Sequence, residues 1–410
     1  MPLVTELDLP FIEIFSPSFA ADPHRTFAEA RRQHWLARSE VGYHVLTRSG
    51  TEALLRDMRF RFGAELGLPP EGEAREALLT RSRRNLLNLR GADHTRLRRL
   101  VSKAFTPRAV ERHRAHARRV INELLDPVCV RGRCDLVSEV TEPYPVMVIC
   151  EVLGTPSEDW RRFSRWVEIL FSRLGLSLDD ESAALVLQAQ QELDDYLRDL
   201  VGRRRRNADG GAGADDLLGE HIEVEEDGDR LATDELVTLM DNILSAGTDT
   251  TRNQLATAVA LFVDHPDQLA LLVEDRMLLE GAVEEVLRFA PVVAGTLRVA
   301  TEQVEIDGVV FPEGSMVSPT MAAANRDPAV YPDPDRFDIT RQQPQPHLSF
   351  GGGAHYCLGA ALARIELVEG FDAVVERLPG LRRDGDVRWK SPVGIGGPEV
   401  LPIAFHATGL

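Results

Sequence analysis

From Asp93 to about Gly202 apolar residues recur at helical spacing almost throughout, and the breaks fall at Thr106-Pro107, Asp126-Pro127 and Gly154-Thr155-Pro156-Ser157, residues that end helices. A longer pattern opens at Thr233, which can cap the acidic turn Asp234-Glu235, and runs without Gly-Pro punctuation to His265-Pro266. At ~1.5 Å per residue it makes a rod on the order of 48 Å, long enough to cross the middle of a domain. Another helix covers Leu278 to Phe289 and stops before Pro291, and one more follows Cys357. Strand signals are shorter. After a helix with an Asp-Pro start at Asp22, Trp35 to Thr47 alternates around a Gly turn like a hairpin, and Val304-Glu-Ile-Asp-Gly-Val-Val-Phe reads as strand, turn and strand. The pattern predicts a mainly α chain with small β-sheets: a β-rich corner near 35–60, an α-rich remainder, and short apolar strands at the end. The one low-complexity stretch, Arg203 to Asp216, combines an arginine run with glycines and predicts a flexible loop over about 203–230. No internal repeat is present.

Composition narrows the class. The chain has 410 residues, 43% of them hydrophobic and 27% charged, the balance of a globular protein with a substantial core. Four cysteines, Cys129, Cys134, Cys150 and Cys357, make no disulfide framework and fit a reducing compartment. The N-terminus lacks the basic region and apolar run of a signal peptide, and nothing approaches the roughly 18 apolar residues of a membrane helix; a soluble cytoplasmic protein is expected. The net charge of −18 disfavours polyanion binding by the surface as a whole. That total hides an asymmetry: residues 81–119 hold thirteen Lys/Arg against two Asp/Glu, a net +11 that leaves −29 on the rest. The basic window contains a single aromatic, Phe105, which argues against a nucleic-acid surface.

The sharpest chemical feature is Phe350-Gly351-Gly352-Gly353-Ala354-His355-Tyr356-Cys357-Leu358-Gly359, followed by a helical Ala-Ala-Leu-Ala-Arg364. A glycine-rich loop before a helix can approach a flat ligand closely, and the helix dipole favours a thiolate there. With no second Cys or His at zinc spacing, one thiolate suits a single axial bond to haem iron. Cys129 and Cys134 lie in a CVRGRC turn and Cys150 in an apolar run; these read as packing residues.

The loop resembles the haem-binding signature of the cytochrome P450 superfamily at every fixed position. Ala246-Gly247-Thr248-Asp249-Thr250-Thr251, a patch of poor helix formers inside the long helix, sits where that family opens a groove over the iron. Glu285-Val286-Leu287-Arg288 matches its Glu-x-x-Arg motif, and Pro334-Asp335-Arg336-Phe337 the loop that supplies a third partner. The motifs keep the family's order from His94 to Gly359, so the resemblance spans the chain and implies one P450 domain over residues 1–410 with a long central helix over haem b. It implies Cys357 as axial ligand and Asp249 and Thr250 as the pair that delivers protons to bound O2. His94, Arg98, Arg298 and His355 would hold the propionates, Phe350, Gly351, Gly359, Ala246 and Gly247 would contact the haem, and Glu285, Arg288 and Arg336 would form a structural triad.

By family position the substrate pocket is lined by Leu86, Leu87, Leu89, Leu170, Phe171, Leu244, Val292, Val293, Ala294, Thr296 and Ile395. Most are apolar, which points to an apolar small molecule. Arg99, Lys103, Arg108, Arg112 and Arg364 would form the face for an acidic ferredoxin, fed by a ferredoxin reductase. The implied activity is that of a monomeric, cytoplasmic monooxygenase of secondary metabolism, using O2 and NAD(P)H for hydroxylation or epoxidation, with neither nucleic acid nor membrane as partner. A peroxide-driven peroxygenase, a non-catalytic haem-thiolate sensor and a nucleic-acid binder are the rivals; the intact Asp249-Thr250 pair argues against the first two.

Overall fold

A computed structural model describes residues 1–63, 71–171, 179–208, 217, 231–342 and 345–408. Contacts group the chain into two units. The first comprises Met1–Gly63, Asn253–Ala360 and Asp386–Leu401, and the second Ala64–Arg252, Ala361–Gly385 and Pro402–Leu410.

The first unit is built on a five-stranded sheet in the order β1-β2-β8-β5-β3. Its strands are β1 (Leu36–Ser39), β2 (Gly42–Val45), β3 (Phe60–Phe62), β5 (Arg298–Ala300) and β8 (Met316–Pro319). Only β2 and β8 pair in parallel. The hairpin of β6 (Val304–Ile306) and β7 (Val309–Phe311) turns on Asp307 and Gly308, at φ 46° and 79°; two left-handed residues are what a two-residue turn between twisted strands requires. Leu36, Val45, Leu54, Phe60, Phe311 and Val317 pack as one apolar cluster. Strands β10 (Arg388–Trp389) and β11 (Pro398–Val400) form a separate ribbon. The corner at 35–60 is less β-rich than its pattern predicts, because Arg48–Arg56 is a helix whose Thr51, Leu54 and Leu55 face inward. Inside the sheet His44 is buried, with Nε2 2.8 Å from the Ser39 hydroxyl, and burial pushes its imidazole down to about 4.

The second unit is helical. Its main helices are Glu73–Ser82, Gly91–Ser102, Arg114–Cys129, Pro143–Leu153, Trp160–Phe171 and Asp180–Ala208. Phe163 and Trp166 pack on Tyr196, joining the last two. Residues 203–208 therefore end a helix rather than open a loop; Leu217 aside, the rest of the predicted loop to 230 lies outside the described residues. Two strands that the sequence pattern does not predict are β8 and β4 (Arg133–Asp135); after the turn at Gly132, β4 pairs with β12 (Pro402–Ala404), which also pairs with β9 (Arg382–Arg383). Three residues are too few to show a period, and the partner lies at the far end of the chain. The long helix runs from Thr233 to Asp264, as its pattern predicts, with residues to Arg252 in this unit and the remainder in the other. Thr248 and Thr250 are accommodated in it by donating their hydroxyls to the carbonyls of Leu244 and Ala246, at 2.6 and 2.8 Å, the back-bond that lets such residues sit inside a helix.

Within the first unit, Glu285 and Arg288 on helix Leu279–Phe289 are sealed from water, at 1% and 0% exposure. Arg288 Nε and Nη2 donate to the two carboxylate oxygens at 2.7 Å each, and Nη1 donates to the carbonyls of Asn325 and Pro334 at 2.9 Å. The third cation is Arg341, not Arg336. Arg341 Nε lies 3.2 Å from Glu285 Oε1, whereas the exposed Arg336 side chain turns to Asp338 and contributes only its carbonyl, to Arg288 Nη2 at 3.3 Å. Arg341 also donates to the carbonyls of Pro332, Asp333 and Arg336, so the later side chain locks the loop that the earlier one merely passes through. The tie continues: the Asn325 amide donates to Ser349 Oγ at 2.8 Å and accepts from Leu348 N at 2.7 Å, one residue before the loop that carries Cys357.

Arg288→Ala leaves a buried carboxylate short of its main partner and should cost about 3–5 kcal/mol in chemical denaturation, with Arg336→Ala within ~0.5 kcal/mol of wild type. The folded state keeps His44 neutral, while the unfolded chain takes up a proton below about 6.5. Its contribution is therefore whole above that pH and is lost as pH falls towards 4, on the order of 3 kcal/mol in all. Thermal midpoints from pH 6.5 to 4 should fall less steeply for His44→Asn than for wild type.

Candidate haem-thiolate site

The cysteine loop is fixed by its own backbone. Gly351 N donates to Leu348 O at 2.8 Å, a short 3-10 turn covers Gly353–His355, and Cys357 N donates to Phe350 O at 2.9 Å. Gly353 sits at φ +64°, where a Cβ would come 2.5 Å from Leu55 O; only glycine lets the loop lie this close to helix Arg48–Arg56. Around Gly359 the Cβ position meets open space. Cys357 is exposed and helix Ala360–Arg377 starts three residues later. The other three cysteines are buried, and burial pushes the Cys134 and Cys150 thiols up to about 12. One thiol of the four is thus open to a ligand. Among the described residues no cluster of three or more His, Cys, Asp or Glu could hold a metal.

Beside this loop lies a buried cation without a counter-ion. Arg298, 5% exposed at the start of β5, pairs in register with Phe62 of β3, and its guanidinium carbon lies 3.4 Å from the Phe62 ring centroid. His355 packs edge-on to the same ring at 5.4 Å. Burial lowers the guanidinium to about 10, and its Nε, like the Thr296 hydroxyl, finds no hydrogen-bond partner. A charge taken out of water needs an opposite charge, and no carboxylate pairs with Arg298 among the described residues. Haem, with an iron for the thiolate and two carboxylates for the cations, fits this set.

The second unit supplies similar groups. His94 is buried and Arg98 half-buried one turn apart on helix Gly91–Ser102; burial and the Arg98 charge together hold the His94 imidazole below its usual range. In the middle of the long helix Ala246 is exposed and Gly247 and Thr250 are half-buried, a stripe of small groups in which a Cβ on Gly247 would stand 3.4 Å from Ile149. Asp249 is buried, with Oδ1 2.9 Å from Arg252 Nη2. Leu244 is fully buried and does not line an open face; two residues before Ala246, it points about 200° away around the helix.

Of the remaining candidates, Val292, Val293, Ala294 and Ile395 are brought together. Gly396 N donates to Val292 O at 2.7 Å, Val293 bridges Ile395, and Ala322 N donates to Ala294 O. Gln254, missed in the sequence, braces that segment by donating to Ala290 O and accepting from Val292 N. Leu86 and Leu89 are half-buried and Leu87 exposed, near one another in the loop after Ser82; Leu170 is half-buried, and the Phe171 side chain lies outside the described set. Arg99, Lys103, Arg108 and Arg112 are exposed and Arg364 half-buried. The basic window is less basic as a surface than as a sequence. Arg96 pairs with Glu235, Arg114 with Glu111 and Glu369, and Arg118 with Asp372 and Glu376. Phe62, Asn325 and Arg341 also carry the site and gave no sequence signal, since nothing local marks the partner of a distant residue. No single helix among the described residues is long and apolar enough to cross a membrane.

Known proteins with this arrangement are haem enzymes. The chain is 38% identical over 407 residues to the luteothin monooxygenase of Streptomyces thioluteus, covering 98% of this chain and 97% of that one. It is 38% identical over 326 residues to the mycinamicin IV hydroxylase/epoxidase of Micromonospora griseorubida, covering 78% and 79%. The crystal structure of CalO2 superimposes with a TM-score of 0.89 at 31% identity, over 98% of this chain and 100% of that one. A family model for cytochrome P450 matches residues 67–378, and on these matches the chain belongs to the cytochrome P450 family and binds haem b through a cysteine.

Proposed function

We propose that the protein inserts one oxygen atom of O2 into an apolar small molecule of secondary metabolism, by hydroxylation or epoxidation, as one P450 domain over residues 1–410. The observation that carries this is the single exposed thiol, Cys357, on a loop whose backbone is locked at both ends. The names of the two relatives, an actinomycete monooxygenase and a hydroxylase/epoxidase, support the substrate class.

Bound haem would supply the activation of O2, tuned by electron donation from the thiolate that holds it. The chain's own residues do the rest. Cys357 would hold the iron through its sulfur; Arg298, His355, His94 and Arg98 would take the propionates, and Phe350, Gly351, Gly359, Ala246 and Gly247 would contact the haem. Thr250 holds a hydroxyl at the open stripe, and Asp249 returns protons to it from the Arg252 side. Leu86, Leu87, Leu89, Leu170, Phe171, Val292, Val293, Ala294, Thr296 and Ile395 exclude water and orient the substrate. Electrons come from NAD(P)H through a ferredoxin reductase and a ferredoxin that docks on Arg99, Lys103, Arg108, Arg112 and Arg364. The protein acts as a cytoplasmic monomer.

The reduced carbon monoxide complex should show the red-shifted Soret band of thiolate ligation, and Cys357→His should abolish it; a wild-type band like that of an imidazole-ligated haem overturns the assignment. Thr250→Ala should divert electrons from NAD(P)H to peroxide, read as peroxide formed per NAD(P)H, and unchanged coupling contradicts the relay. Arg112→Glu should raise the KM for ferredoxin several-fold with kcat preserved, an effect that shrinks with added salt.

A further inference from the structure

Two neighbouring polar residues of the long helix, Asp241 and Asn242, have no part in the chemistry above, yet both reach the same stretch of chain. Arg81, at the end of helix Glu73–Ser82, lies between two carboxylates. Its Nη2 donates to Asp194 Oδ1 at 2.9 Å and to Asp241 Oδ2 at 2.8 Å, and its Nη1 pairs with the other Asp194 oxygen. Asp194 belongs to helix Asp180–Ala208, against which the Arg81 helix also packs through Leu78, Ala74, Ala183, Val186 and Leu187. Five residues after Arg81, Leu86 N donates to Asn242 Oδ1 at 2.8 Å. The Asn242 amide is turned to present that oxygen by its own Nδ2, 3.4 Å from Asp241 Oδ2, and Ser245 Oγ and Gln190 Nε2 each lie 3.4 Å from Asp241 Oδ1. From Arg81 to Leu89 the chain is held in tight turns, and Asn88 Nδ2 donates back to Ser82 O at 2.8 Å.

We propose that Asp241 and Asn242, with Arg81, are specificity-determining positioning residues: they clamp both ends of residues 81–86 and so fix where Leu86, Leu87 and Leu89 stand relative to the open stripe at Ala246, Gly247 and Thr250. Apolar contact alone is non-directional and would let such a loop slide, and Leu87 is exposed, so packing does not hold it. Directional bonds from a half-buried guanidinium and an oriented amide set one register. Asp241 and Asn242 lie between about one and two and a half turns before the stripe residues on the same helix, which makes the spacing from leucines to stripe a property of the helix. The inference rests on the assignment of these leucines to the substrate pocket.

The test uses the haem-loaded protein and the variants Asn242→Ala and Arg81→Lys, the latter keeping the charge but unable to bridge both carboxylates. Amide hydrogen exchange at Leu86 should quicken at least tenfold in both, with the thermal midpoint within a few degrees of wild type. The association rate of a bulky azole that coordinates haem iron, 4-phenylimidazole, should rise several-fold while that of imidazole itself stays the same. Unchanged exchange at Leu86 overturns the clamp. Faster exchange with unchanged 4-phenylimidazole binding overturns the assignment of the leucines to the pocket, and with it the specificity role, while leaving the haem-thiolate assignment intact. Faster binding of both azoles overturns the proposal by showing a general loosening.

Discussion

Glu285 and Arg288 lie where water does not reach, and the cost of stripping two ions of their hydration is met only by filling every remaining donor and acceptor around them. The groups that do so are the carbonyls of Asn325, Pro334 and Arg336, the Asp338 amide and the Arg341 guanidinium. They come from a segment with little regular structure, and it is held in place because the ion pair would otherwise be intolerable. Asn325 then carries the order onward through Leu348 and Ser349 to the first residue of the cysteine loop. A pair with no part in the chemistry thus decides where the reactive thiol can stand.

Arg298 shows the opposite treatment of the same side chain. It is nearly as buried as Arg288 but lies over an aromatic face with no carboxylate to meet it. Left so, it is a cost that a ligand carboxylate would offset. His94 differs, since burial and the adjacent Arg98 charge favour its neutral form. The cysteines divide by the same rule, with Cys134 and Cys150 kept as inert thiols by burial and Cys357 left accessible.

Much of this was legible in the amino-acid order, because the informative residues are local. The glycines around Cys357, the i,i+3 spacing of Glu285 and Arg288, and the threonines inside an otherwise good helix each announce themselves within a turn or two. The Thr233–Asp264 helix and the Asp307-Gly308 hairpin were legible for the same reason: period and turn chemistry are short-range. What the sequence could not supply were partners chosen by the fold. The motif points to Arg336 as the third member of the triad, and only the loop's path, which turns Arg336 outward and Arg341 in, shows that Arg341 takes the place. Phe62 matters only because β3 pairs with β5, and β4 exists only because the chain's last strand returns to it. The +11 of residues 81–119 was a true count but an incomplete picture of the surface, since Arg96, Arg114 and Arg118 spend their charge on neighbouring helices.

The central claim is that one sulfur, that of Cys357, is reserved for iron while the rest of the chain holds it in place. X-ray absorption at the iron edge of the haem-loaded protein reads that bond directly. The account predicts a single sulfur neighbour in the wild-type protein and none in Cys357→Ser, with the other three cysteines intact in both. An iron bound only by nitrogen and oxygen in the wild type, or a sulfur neighbour that survives in Cys357→Ser, would contradict it.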